Sequence, residues 1–319
     1  MLSTRKAWLA GIAMVAATLL ASAPARAVEP DKMIPADAEA VIVFNVRQTL
    51  DSPLIKAYAL DKIKDAMKGN AQAETVLKAA GIDPLKDIDS VLITNAGITP
   101  KNQVLIVTHG KFDLDKVHAA AADFAKKNPT ELKFTGDGKG RIYEIVDKDN
   151  TVFANFPDAS TLIATNSKEY LQKALKKETG GTLNKALGTA LEKIKSGKES
   201  LWMAAIVTDE MRKQLEANPQ TKALAPKLES MTGSVNVNKD IDLSFLIHTT
   251  DADTAKTVAK QINGVKPLLA LLAGGNEEIK PIIDLLTEKL TVKSDEKSTS
   301  INLNLTEDEL KKVMPKSSK

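Results

Sequence analysis

The chain has 319 residues, with 44 basic and 41 acidic side chains, three histidines and no cysteine. The absence of cysteine excludes disulfides, thiolate metal ligands, a thiol nucleophile and an acylated cysteine anchor. Three of the basic residues, Arg5, Lys6 and Arg26, lie within the first 27 positions. The remainder carries 41 of each sign, so the net basic face that nucleic acid demands is not expected.

The chain opens with Arg5 and Lys6, an apolar stretch over 7–20 and the small-residue pattern Ala25-Arg-Ala27. Charge, apolar stretch and small residues come in the order of a secretory signal, which predicts cleavage after Ala27 and an exported protein, periplasmic or extracellular. The apolar stretch is shorter than the roughly 20 residues that span a bilayer. Farther on, the most apolar run, Pro267-Leu-Leu-Ala-Leu-Leu-Ala273, ends at Gly274-Gly275, so no integral span is expected after cleavage.

In chain order, the β-branched run 40–46 predicts a buried strand, and apolar residues at helical spacing predict a helix over 51–68. A short helix over 73–80 stops at Gly81. Strands over 90–95 and 103–110 follow, joined by turn formers around Gly97 and Pro100. Next come a helix over 114–127, opened by Asp113, strands over 131–135, 141–146, 151–156 and 161–164, and a helix over 168–177. The second half reads in nearly the same order. It has a strand over 201–207, a helix over 209–217, a hairpin over 232–248 and a helix over 251–263. Leucine-rich helices over 267–272 and 277–288, a hairpin over 290–305 and a helix over 307–314 complete it.

Local matches support two similar halves. Asp87-Ile-Asp-Ser90 and Lys227-Leu-Glu-Ser230 each precede a hairpin, and Asn166 and Thr306 each stand three residues before a glutamate, the spacing of a helix capping box. The division expected is a signal at 1–27, a first α+β unit at 28–180 and a second at 181–319, with the boundary near Glu178-Thr-Gly-Gly181. Antiparallel hairpins mixed with helices predict the α+β class, with helices on one face of the sheets.

The opening after the signal carries a resemblance. Pro35-Ala-Asp37, a strand ending Asn45-Val-Arg47, and Leu50-Asp-Ser-Pro-Leu54 are similar to the start of uncharacterised secreted proteins of planctomycete-type bacteria. The resemblance implies an exported α+β protein and brings no catalytic residues. Physically, Asp51 or Ser52 can cap a helix whose first turn accepts Pro53.

Signatures of chemistry are sparse. Gly136-Asp-Gly-Lys-Gly140 has strand pattern on both sides and reads as a turn, because a phosphate loop leads from a strand into a helix. Asp147-Lys-Asp149 begins like a calcium loop, but Val152 replaces its sharp-turn glycine. His109, His118 and His248 do not stand at the spacing that sets two ligands on one helix face. His109 and His248 each end a hairpin strand, at positions that match between the halves. Ser294-Asp-Glu-Lys297 falls in a hairpin and not at a helix start, and Trp202, in a strand, is expected in the core.

No catalytic, cofactor-binding or metal-binding residues are assigned from these signals, and no cofactor is expected. The sequence points to an exported non-enzymatic binding or structural protein whose partner is another protein or an apolar small molecule, with no nucleic-acid role. Leu268, Leu269, Leu272, Ile282 and Leu286, on the two leucine-rich helices, would line an apolar groove in a carrier or fill an ordinary core. A carboxylate-based hydrolase is the remaining alternative, and it requires two acids meeting in a cleft. Intact-mass measurement of the exported protein should give a chain beginning at Val28; retention of residues 1–27 would refute the cleavage.

Overall fold

The computed structural model describes residues 31–68, 71–94, 104–147, 150–176, 185–191, 194, 199–273 and 280–313. Residues 1–27, the predicted boundary at 178–181 and residues 148–149 of the segment that begins like a calcium loop lie outside these. The first unit contains β1 (Ala40–Phe44), α1 (Val46–Asp51), α2 (Pro53–Tyr58), α3 (Leu60–Lys68), α4 (Ala71–Ala79), α5 (Pro84–Asp87), β2 (Ile88–Thr94) and β3 (Leu105–Gly110). It continues with α6 (Leu114–Lys127), β4 (Leu132–Thr135), β5 (Ile142–Asp147), β6 (Asn150–Asp158), β7 (Thr161–Thr165) and α7 (Lys168–Leu175), and α8 (Lys185–Leu191) follows beyond residue 180. The second contains β8 (Leu201–Ile206), α9 (Asp209–Ala217), β9 (Leu228–Val237), β10 (Ile241–Thr249), α10 (Ala252–Ala273), α11 (Lys280–Lys289), β11 (Thr291–Asp295), β12 (Ser298–Leu305) and α12 (Glu307–Val313).

The fold is α+β, built on a single 12-stranded antiparallel sheet in the order β11-β12-β10-β9-β8-β1-β2-β3-β7-β6-β5-β4. The strands before and after residue 180 join where β1 pairs with β8, Ile42 opposite Met203 and Val43 opposite Trp202. From that seam the strands run outward in parallel succession: β1, β2, β3, β7, β6 on one side and β8, β9, β10, β12, β11 on the other. The first unit adds β5 and β4 beyond.

The sequence matches fall at matching places. The β2–β3 register shifts between Ile88 and Ser90, and the β9–β10 register between Leu228 and Ser230. Ser90 then pairs with His109, and Ser230 with His248. The Lys111 amide donates to the Asp87 carbonyl, as the Thr250 amide does to that of Lys227. The capping boxes diverge. Thr306 and Glu309 form the reciprocal pair, whereas Ser167 caps α7 and the Asn166 side chain accepts instead from the Val104 amide.

Two local readings change. The helix expected over 51–68 is two short helices, α2 and α3, and a separate α1 ends at Asp51, because Ser52 leaves helical geometry to cap α2 through the Ile55 amide and Pro53 has no amide to continue α1. Helices cover both faces of the sheet and not one. Central strands are apolar on both sides, so each side needs cover. On one face Val41, Val43, Leu105 and Trp202 pack with Tyr170 and Leu171 of α7 and Leu187 of α8. On the opposite face Val91, Val237 and Leu303 pack with Leu50 and Leu54 of α1 and α2 and Leu310 of α12. A third cluster sets α6 on the β4–β7 wing through Val117, Ala121, Leu132 and Tyr143.

Trp202 is core, 3% exposed, as its place in a strand predicts. The Gly136–Gly140 segment is the β4–β5 turn, with Gly136 and Gly138 at positive φ (80° and 48°), a region where side chains are disfavoured. Leu105 is fully buried at the centre of the first cluster. Leu105→Ala should cost about 2–5 kcal/mol in urea unfolding, while truncating exposed Asn304 should change stability by no more than about 0.5 kcal/mol.

Candidate ligand-binding face

Opposite residues in adjacent antiparallel strands share a sheet face, so the register shows which side chains line up. One line crosses all 12 strands on the α1–α2 face without meeting a charged residue. In the β4–β7 wing it runs through Phe134, Tyr143, Ala154 and Ala164. It continues through Ile106, Ile93 and Ile42 in the centre. Met203, Gly233, Phe245, Ile301 and Val292 complete it.

Burial along the line is uneven. Tyr143, Ala154 and Ala164 are covered beneath α6, at 4%, 4% and 1% exposure. Beyond Ile93, Gly233 is buried, while Ile42, Met203, Phe245, Ile301 and Val292 are half-buried and belong to none of the three buried clusters among the described residues. α10 packs on this face over β10, β11 and β12, where buried Thr299 donates to the Ala255 carbonyl, so part-exposed apolar side chains of the line lie nearest the seam, at Ile42 and Met203, and under or beside α10 at Phe245, Ile301 and Val292.

The leucine-rich helices flank the same face. Leu285, Leu286 and Leu290 pack against the second cluster, yet no side chain of α11 is fully buried. Ile282 is 36% exposed and Val265, on α10, 48%. The two helices are tied by the Lys266 ammonium, which donates to the Leu290 carbonyl, and α11 is tied to α12 by the Lys289–Glu309 ion pair. That ion pair comes first among the contacts holding the Glu309 carboxyl down at about 2. Of the predicted groove residues, Leu286 is brought to the cluster and Ile282 to the surface beside it. Leu268, Leu269 and Leu272 lie on α10, with side chains outside the described set. Among the described residues, no helix is long and apolar enough to cross a membrane.

Sequence reasoning missed the line itself. Each of its residues was visible as an alternate apolar position in a strand, but the alignment exists only through pairings between distant segments.

Two polar groups lie elsewhere. His109 Nε2 is 2.6 Å from Asp31 Oδ2, and Asp31 also accepts from the Met33 amide, which fastens the segment ahead of β1 to the end of β3. The hydrogen bond to Asp31 lifts the His109 pKa above its ordinary value, against the pull of burial. Burial pushes Asp31 upward, but the His109 and Met33 hydrogen bonds outweigh it and leave the carboxyl below its ordinary value. At the matching position His248 is buried. In the β4–β7 wing, His118 Nδ1 bonds the Tyr143 hydroxyl, and the Arg141 guanidinium stacks 5.1 Å over the Phe134 ring. Burial, with the Arg141 charge, lowers the His118 pKa.

No grouping of three or more metal-ligating side chains occurs among the described residues. Two enclosed carboxylates, Asp31 beside β3 and buried Glu199 just ahead of β8, lie three strand positions apart in the sheet.

No protein-family model matches the chain, and no curated protein matches it. Among solved structures, crystal form I of TP0453 is similar at a TM-score of 0.46 and 8% identity, over 90% of this chain and 96% of that one.

The His109–Asp31 pair sets a pH dependence. The raised histidine contributes stability that is full below about pH 6.5 and is lost as pH rises through its folded value. The lowered Asp31 contributes stability present above about pH 3.9 and lost as pH falls through its folded value. Both groups are part-exposed, so screening holds the amplitude to about 1 kcal/mol or less. In thermal melts against pH, His109→Gln should remove the loss on the alkaline side; an unchanged profile would deny the pair that role.

Proposed function

We propose that the protein is an exported, non-enzymatic binding protein that holds an apolar ligand on the α1–α2 face of the sheet, at Ile42 and Met203 near the seam and against the edge of the α10–α11 pair that covers the strands beyond. The observation that carries this reading is the uncharged line, whose part-buried side chains Ile42 and Met203 near the seam lie outside the three buried clusters. Apolar surface there that stays in contact with water forfeits roughly 25 cal/mol for every Å², which an apolar ligand would recover.

The neighbouring helices support the reading. α11 is leucine-rich and lightly packed, held by Leu285 and Leu286 and by the Lys289–Glu309 pair, so its displacement exposes little of the main core. An apolar ligand site of this kind needs no ionisable group along its floor, and the line has none.

The test is organic extraction of residues 28–319 after purification from the exporting cell, with mass spectrometry of the extract, followed by titration of the stripped protein with a fluorescent long-chain fatty acid. Stoichiometric lipid in the extract and saturable binding are expected. An empty extract together with no binding by the stripped protein would overturn the reading.

A further inference from the structure

α10 is a single helix of 22 residues with Pro267 inside it. A proline in a helix interior has no amide to donate, which leaves the Asn263 carbonyl one turn back without its helical donor, and the ring crowds that carbonyl. Gly264 lies in the same turn. Its φ is not positive, and a Cβ placed there would meet nothing within 4 Å. Alanine would therefore fit at 264 and hold a helix better, so neither space nor backbone angle accounts for the glycine. The two residue types least suited to a helix interior thus share one largely exposed turn.

That turn divides α10 into parts held very differently. Before it, Ala255, Val258 and Ala259 are buried, the Thr299 hydroxyl of β12 donates to the Ala255 carbonyl at 2.7 Å, and the Gln261 side-chain amide donates to the Gln220 carbonyl. After it, Val265 is exposed, and α11, which packs against α10, has no fully buried side chain. Lys266, within the turn, donates to the carbonyl of Leu290, the residue that follows α11. The two points at which this helical pair leaves the packed fold therefore lie side by side, so the pair can swing as a unit. What holds it down is the contact of α11 with β12 and α12, through Leu285 and Leu286 on the second cluster, and the Lys289–Glu309 ion pair.

We infer that residues 263–267 are a hinge, and that α11 with the last turns of α10 moves on it as a lid over the side of the second cluster formed by Leu303, Leu305 and Leu310. In the closed position observed, those three leucines are buried. Opening bends α10 at its weakest turn and leaves the part anchored at Ala255 in place. The hinge follows from helix geometry and packing alone and stands whether or not the protein holds an apolar ligand.

The chain has no cysteine, so two spin labels can be placed without background. Residues 28–319 carrying Lys260→Cys and Ile282→Cys, both at exposed positions, report the distance between the anchored part of α10 and α11 by pulsed electron paramagnetic resonance. Lys260→Cys with Asn304→Cys, both outside the lid, is the control, and its distance confirms that each variant is folded. Two distance populations are expected for the 260–282 pair and one for the control. Gly264→Ala should reduce the open population about fivefold, the factor that exchanging glycine for alanine is worth in a helix interior. Pro267→Ala, which restores the missing donor, should reduce it further. A single 260–282 population in the protein without these two changes, or an open population that neither change reduces, would overturn the hinge.

Discussion

The pairing of β1 with β8 is the constraint on which the architecture depends. Ala40–Phe44 and Leu201–Ile206 are separated by more than 150 residues, yet they form the seam of the sheet. Backbone bonds beyond the paired residues, from the Asn45 amide to the Ser200 carbonyl and from the Ile206 amide to the Glu39 carbonyl, extend it at both ends. Each strand would otherwise be the exposed edge of its own unit, apolar on both sides and prone to association. Joining them removes two edges at once. The edges that remain are short: β4 spans four residues, and β11 carries Lys293 and Asp295.

The seam also determines what the faces present. Side chains alternate along a strand, so slipping β1 by one residue against β8 would exchange Val41 and Val43, which pack under α7 and α8, with Ile42 and Phe44. The register observed places Ile42 beside Met203 and carries the line on to Gly233 and Phe245. A sheet this wide needs helices on both sides. The helix after the last strand of each succession goes to a different face, α7 to the Trp202 side and α12 to the Leu303 side. On that same α1–α2 face α10 packs over β10, β11 and β12, with α11 and α12 beside it, while α6 closes over the β4–β7 wing.

Positions with similar strand pairing on either side of the seam carry different chemistry. His109 is part-exposed and bound to Asp31 from the segment ahead of β1, whereas His248 is buried. Ile93 fills its place in the line, whereas Gly233 yields its place to Phe245. A common strand path therefore supports a tightly filled wing on one side and a loosely filled face on the other.

The sequence by itself determined the α+β class, most strand and helix positions, the Gly136–Gly140 turn, the cap at Thr306 and the core setting of Trp202. These depend on alternation, helical spacing and capping, which act over a few residues. The pairs Ser90–His109 and Ser230–His248 were legible as likenesses between segments. Only the tertiary structure decided that the two units share one sheet, that helices cover both its faces and that 12 uncharged residues align across it. Nor did sequence separate Leu286, packed against the core, from Ile282, half in water three to four residues away on the same helix. Strand partners and register come from contacts between distant segments, whose energies depend on how every alternating pattern is covered at once, and no local pattern carries that information.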